Sequence, residues 1–333
     1  MSLDPNVLHR ANRRLAQRKA QREAQQAKRR AEIYRRCPRA AQIDRELRQT
    51  AAGIVSAAFR AGEDPIPALN RVRAENQALQ AERTQLLRQA GYPADALDDT
   101  PYCASCGDTG WIGTDMCACL CALYAEEQMK ELSKLLDLGE QSFDSFSLDY
   151  YSDQPWPGES ESPRARMELI RDVCYSYASR FPKFAYPNLF LTGAPGLGKT
   201  FLSACIARMV AEKGFSVVYD TAINIFSKFE EQKFARAESD VRDAKDETRR
   251  YLGCDLLILD DLGSEMTTPF VQSALYSLVN GRIPSKRTVI SSNLSIGDVR
   301  RRYSAQTASR LEGEYHVLPF FGEDIRLLKK RRR

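Results

Sequence analysis

Two stretches of this 333-residue chain carry residue types that do chemistry. The first is Gly193-Ala194-Pro195-Gly196-Leu197-Gly198-Lys199-Thr200, which follows the apolar run Asn188–Thr192 and leads into the apolar FLSACIARMV. Strand, glycine loop and helix in that order are what a triphosphate-binding loop requires. The glycines let successive backbone N–H groups turn toward phosphate oxygens, and the helix N-terminus adds its positive dipole end. Lys199 would reach the β- and γ-phosphates of ATP, and the Thr200 hydroxyl would ligate Mg²⁺. Further on, Asp260 and Asp261 close a second apolar run. The first carboxylate suits the Mg²⁺ shell, and the second would orient or deprotonate an attacking water. Asn293 ends the next run, where an amide would meet the γ-phosphate and that water. Arg310 has the guanidinium suited to clamp a phosphoryl bound by a neighbouring subunit. Arg326 is a second candidate, serving its own subunit's nucleotide or capping a helix.

The second stretch holds five of the nine cysteines, between Cys103 and Cys121. Cys103-x₂-Cys106 and Cys117-x-Cys119 flank a short Gly-containing hairpin, and four thiolates so spaced can close a tetrahedron on Zn²⁺. Cys121 is the alternative to Cys119. No histidine or open ligand position accompanies them, so the expected role is structural. Cys37, Cys174, Cys205 and Cys254 are scattered and read as small core hydrophobes.

Phosphate chemistry of this kind needs a scaffold. Apolar runs at 215–220, 255–261 and 287–293 follow the one before the glycine loop and alternate with helical patterns at 222–234, 240–252, 269–282, 296–303 and 306–312. Wholly apolar strands separated by helices predict a parallel sheet covered on both faces. Upstream, polar helices are expected over 6–49 with a break near Cys37-Pro38, over 49–61, and over 68–89 after a turn at Asp64-Pro-Ile-Pro67. A helix over 123–138 and an aromatic, Pro-marked linker around 143–163 follow. The expected domains are a basic helical docking region (1–98), a four-cysteine zinc module (99–125), a helix and linker (126–163) and an ATPase domain (164–333).

A hydrophobic content of 43% with 28% charged residues suits a chain able to bury a core. No apolar run reaches about 18 residues and no apolar leader is present, so no membrane contact and a cytoplasmic location are expected. Residues 1–50 hold 14 Lys/Arg against 5 Asp/Glu, and the chain closes on Lys329-Lys-Arg-Arg-Arg333. Such arms suit nucleic acid or an acidic partner.

The segments GAPGLGKTFLSACIA, LLILDDLGSE, TVISSNLS, SRLEGEY and FFGEDIR, with the upstream CASCGDTGWI…CAC, resemble the DnaC/DnaI-type replicative helicase loaders of the AAA+ superfamily, close to the IstB-like ATPases. The resemblance covers about residues 100–330. It implies an AAA+ sheet with a truncated lid, with Gly193–Thr200 as Walker A, Asp260-Asp261 as Walker B, Asn293 as sensor 1, Arg310 as arginine finger and Arg326 as sensor 2. It further implies self-association through the ATP sites, a DnaB-type replicative helicase as partner and a single-stranded DNA path in which Lys228, Lys233 and Phe234 lie. Relatives usually carry Glu-Arg where this chain has Ala305-Gln306. The alternative is an IstB-like transposition helper that binds target DNA and recruits a transposase.

Overall fold

The structure, a computed structural model, describes residues 3–58, 65–136, 141–234 and 247–331. The start of the charged helix expected at Asp240, the turn at Asp64, the end of the helix expected to reach Leu138, and Arg332-Arg333 lie outside these residues. The chain divides into two compact units: Arg13–Cys117, and a second formed by the residues up to Asn12 together with those from Ala118 onward.

In the N-terminal unit, helix α1 (Pro5–Arg36) ends at Cys37, and α2 (Pro38–Ala58) and α3 (Pro65–Gln89) follow. The break at Cys37-Pro38 is where the sequence places it. No second break occurs near Gln49, because nothing there interrupts the Ala- and Gln-rich pattern and α2 runs straight through. Helix α3 begins at Pro65 rather than after the prolines, since proline in the first turn forfeits no intrahelical N–H bond. Ile33, Ala40, Leu87, Ala96 and Leu97 form a small core. Arg39 pairs with Glu82 and Arg83 with Asp44 across α2 and α3. The unit ends in a two-strand hairpin, β1 (Trp111–Ile112) and β2 (Asp115–Met116).

The second unit is built on a five-stranded sheet in the order β4-β5-β6-β3-β7, parallel throughout. Its strands are β3 (Asn188–Gly193), β4 (Val217–Thr221), β5 (Leu256–Leu262), β6 (Arg287–Ser292) and β7 (Tyr315–Phe320). Side chains alternate between two buried faces. Leu189, Leu191, Val217, Ile258 and Val289 meet α4 (Ala118–Leu135), α5 (Pro163–Ser179) and α6 (Lys199–Glu212). Phe190, Val218, Leu257, Leu259 and Ile290 meet the opposite layer. That layer is α7 (Ala222–Phe234), α8 (described over 247–253), α9 (Pro269–Arg282), α10 (Ile296–Arg302) and α11 (Ala305–Glu314). A last helix, α12 (Ile325–Arg331), follows β7.

Strand β7 was not expected. Among the described residues it pairs with β3 alone, at the sheet's edge, and Pro319 within it is tolerated there because an edge strand has one unpaired side. The linker expected around 143–163 is packed rather than solvated: Tyr151 is buried in the core beneath the sheet, and Phe146, Leu148 and Tyr150 pack against it, beside Leu132 and Leu136 of the expected helix. The expected docking region also loses its first turn to this unit: Asp4 caps α1 by accepting from the Asn6 and Val7 N–H groups. Its other carboxylate oxygen lies 2.6 Å from Arg250 Nε, and Arg250 reaches Glu131 at 2.8 Å. Among the described residues, no helix is long and apolar enough to cross a membrane.

Candidate functional site

The glycine loop lies at the carboxyl end of β3, where ligands sit in open parallel sheets. It is supported from outside by segments distant in sequence. Gly196 has φ +80°, and a Cβ there would fall 2.0 Å from an Asp324 carboxylate oxygen. The Ile325 N–H donates to Gly196 O at 3.0 Å. A Cβ on Gly193 would lie 2.2 Å from Phe320 O. Tyr151 donates its hydroxyl to Leu197 O at 3.0 Å. These glycines are therefore required by the close approach of other segments behind the loop.

Inside the loop, Lys199 is 8% exposed and donates to the carbonyls of Gly193 and Ala194 at 2.7 and 2.8 Å. Burial pulls its ammonium below the usual lysine range, opposed by the Asp261 and Asp260 carboxylates. Thr200 Oγ1 donates to Asp260 at 3.1 and 3.3 Å. A hydroxyl and a carboxylate that close form a hard-oxygen pair fitting Mg²⁺. An ion held by Thr200 and Asp260 would neutralise charge on the phosphates.

Asp261 occupies a left-handed conformation, φ +59°, where the pairing of β5 with β6 shifts between Leu259 and Leu262. A bulge of this kind re-aims a side chain. Here it turns the second acid out of the alternating pattern, exposed, onto the cleft wall, while its N–H donates to Ser291 Oγ at 3.0 Å. Aspartate tolerates φ > 0 better than most residues, and such strain clusters at functional sites.

The cleft has a volume of about 620 Å³, within the range of small-molecule sites. Pro195, Gly196, Gly198, Lys199, Thr200, Asp260, Asp261, Asn293 and Arg326 all line it, so most of the expected site residues are brought together. Gly193, Ala194 and Leu197 form the loop without facing the cleft. Arg310 is not among the lining residues and is exposed on α11. Sequence reasoning missed four contributors. Phe146, Tyr150 and Tyr151 of the supposed linker form one wall, Phe146 lying 5.6 Å from Phe201 between ring centroids. Lys329, read as part of a basic tail, lines the cleft and sits 5.3 Å from the Tyr150 ring centre. The signal was the aromatic density of SFDSFSLDYY, unusual for a solvated linker.

Residues 183–333 match the family described as IstB-like ATP binding protein. This segment is similar to the ATP-binding domains of that family. An insertion sequence ATP-binding protein of Sinorhizobium fredii (y4iQ/y4nD/y4sD) is 27% identical over 146 residues, covering 43% of this chain and 47% of that protein. A second from the same organism, y4pL, is 27% identical over 154 residues, covering 44% and 60%. The chain thus spans about half the length of the curated relatives it matches. Among solved structures, a DnaC helicase loader is similar at a TM-score of 0.43 and 16% identity, covering 56% of this chain and 99% of that one. Replication initiator DnaA bound to AMPPCP and single-stranded DNA gives 0.41 and 20%, over 49% and 50%. The matched segment, 183–333, contains every residue expected to hold phosphate and Mg²⁺.

The cysteines gather as the spacing predicts. One sulfur from each of Cys103, Cys106, Cys117 and Cys119 lies within 4.8 Å of the others, and Cys121 is outside the set. The Cys103 and Cys117 sulfurs are 3.6 Å apart, too far for a disulfide and close to the edge of a tetrahedron with Zn–S bonds of about 2.3 Å. The Gly110 N–H points at the Cys106 sulfur at 3.3 Å, and buried Asp108 accepts the Cys103 N–H at 2.8 Å while pairing with Arg22 at 2.9 Å. Such outer contacts orient metal ligands. Protein purified anaerobically should carry about one Zn²⁺ per chain, and replacing Cys106 with Ser should abolish it. Elemental analysis that finds no zinc in the unsubstituted protein contradicts the site.

Proposed function

We propose that the chain is an ATP-switched loader that binds a hexameric replicative helicase and places it on single-stranded DNA. The observation that carries this reading is the joining of a nucleotide site to an upstream helical and four-cysteine region whose described residues hold no catalytic constellation. A region of that composition serves to dock a partner, and the nucleotide site serves to change its grip.

In this reading the chain hydrolyses ATP. Asp261, aimed into the cleft by the bulge, orients the attacking water, with Asn293 beside it; Lys199 and Arg326 hold the phosphates. Tyr150 and Phe146 offer the base an aromatic wall. Arg310 lies outside its own cleft, so its guanidinium serves the nucleotide of an adjacent copy, and self-association completes each site.

For DNA, the supporting surface is the end of α7. Phe234 is 66% exposed, and Lys233 Nζ lies 5.6 Å from its ring centre and 4.8 Å from that of Phe270. An exposed ring beside an ammonium can stack a base and meet a phosphate without reading sequence. Phe270 joins the two residues expected from sequence. Lys228, the third, is engaged with Glu231 at 2.8 Å and contributes less. A second reading draws on the names of the Sinorhizobium relatives: an ATPase that coats target DNA and recruits a transposase.

Two experiments test this. Asp261→Asn protein, whose asparagine also accepts the left-handed backbone, is loaded with ATP and Mg²⁺ on an immobilised single-stranded oligonucleotide and exposed to extract of the source cell. Recovery of a replicative helicase is the expected result. Recovery of a transposase favours the second reading, and failure to bind DNA contradicts both. Separately, Arg310→Ala and Lys199→Ala chains, each inactive alone, should regain ATP turnover when mixed. No recovery despite demonstrated co-assembly places Arg310 outside trans catalysis.

A further inference from the structure

Asp260 is 6% exposed, and an ionised carboxylate so buried needs donors on both oxygens. Its donors come from three different elements. From β6, Ser291 Oγ donates to Oδ1. From β4, the Tyr219 hydroxyl donates to Oδ2. Thr200 Oγ1, at the start of α6, reaches both oxygens. The sheet register makes this possible. Tyr219 pairs with Ile258 and Thr221 with Asp260, so Tyr219 and Asp260 project from the same face, offset by two residues along the strand. That diagonal is within reach of a long aromatic side chain. Val289 lies on this face in the core that holds Tyr219 and Ile258, and Ser291 follows it by the two-residue period.

We infer that Tyr219 is a positioning residue for the metal: with Ser291 it fixes the rotamer of the Asp260 carboxylate, and so sets how tightly the nucleotide site takes up Mg²⁺. This rests on the nucleotide reading of the cleft and concerns a residue outside its motifs. Three features support it. The three donors are neutral hydroxyls, so they hold the carboxylate in place without cancelling the charge that attracts a divalent cation; an arginine or lysine there would do both. The donors are also divided by role. Thr200 turns its oxygen to the metal when the site is loaded, which leaves one permanent donor per carboxylate oxygen, Ser291 on Oδ1 and Tyr219 on Oδ2. Finally, the phenol ring is already satisfied as a hydrophobe. Tyr219 is buried among Val217, Ile258 and Leu256, where phenylalanine would pack equally well, so the hydroxyl adds only the contact with Asp260. Ser291 has a second task, taking the Asp261 N–H, and thereby ties both acids of the pair to one side chain on β6.

The test separates positioning from simple packing. Binding of a fluorescent ATP analogue to the full chain is followed as MgCl₂ is titrated, for the unsubstituted protein, Tyr219→Phe and Ser291→Ala, with melting curves alongside. Loss of an outer contact to a metal ligand weakens metal affinity about 10-fold or more, so Tyr219→Phe should raise the half-saturating MgCl₂ concentration by about that factor. Affinity for the analogue in EDTA should stay within about two-fold of the unsubstituted protein, and Mn²⁺ should show a parallel shift. Ser291→Ala should move the same midpoint and should also slow turnover at saturating Mg²⁺, because the Asp261 backbone loses its anchor. If Tyr219→Phe changes only the melting temperature and leaves the MgCl₂ midpoint alone, the hydroxyl is a packing feature and the inference is overturned. If the unsubstituted protein binds no analogue at any MgCl₂ concentration, the nucleotide reading itself falls and takes the inference with it.

Discussion

The phosphate loop can cradle an anion only if its backbone is held in one conformation, and a chain of glycines does not hold itself. In this protein the restraint comes from behind. The Asp324 carboxylate and the Ile325 N–H lie against Gly196, the Phe320 carbonyl against Gly193, and the Tyr151 hydroxyl against Leu197. Phe320, Asp324 and the Tyr151 hydroxyl occupy the space a Cβ would need at Gly193, Gly196 and Gly198, and two hydrogen bonds tie the loop's carbonyls from behind. The entropic cost of ordering glycine, roughly 0.5–1 kcal/mol per residue relative to alanine, is offset by contacts that only glycine permits.

That arrangement determines how far the site extends along the chain. Tyr151 precedes the loop and Phe320–Ile325 follow it by more than a hundred residues, yet both lean on it, and each brings cleft-facing residues: Phe146 and Tyr150 from the first, Arg326 and Lys329 from the second. The parallel sheet makes the meeting possible by setting β7 directly beside β3, with Gly193 in register with Phe320. The two aspartates arrive from the other side, where the register shift in β5 leaves Asp260 buried and turns Asp261 outward. One nucleotide bound here would touch the loop, the aromatic segment before it and the helix after β7.

The parts of this site governed by local chemistry were legible in the sequence. The glycine loop, the paired aspartates and Asn293 were singled out by spacing and meet at one cleft, as the four cysteines meet in one cluster; β3 has an apolar centre, and β6 carries Val289 and Ile290 between polar residues. What was not legible depended on long-range packing. Strand β7 contains Pro319 and His316, which weaken any strand pattern, and it forms because β3 offers it an edge. The aromatic segment around Tyr151 looks like a linker because its Pro, Ser and Asp content is a linker's; its partners lie some fifty residues away in sequence. The choice of Cys119 over Cys121 was also invisible, since both sit on the first turns of α4 and only the folded hairpin decides which sulfur points inward. Tyr219 gives no signal at all, being an ordinary strand tyrosine until the register sets it beside Asp260.

The measurement that bears most directly on this account is hydrogen–deuterium exchange of the full chain with and without a non-hydrolysable ATP analogue and Mg²⁺. If one nucleotide is held by all three segments, protection should rise together in peptides covering residues 141–151, 193–201 and 320–329. Protection confined to 193–201, with the flanking segments exchanging as in the nucleotide-free protein, would contradict it.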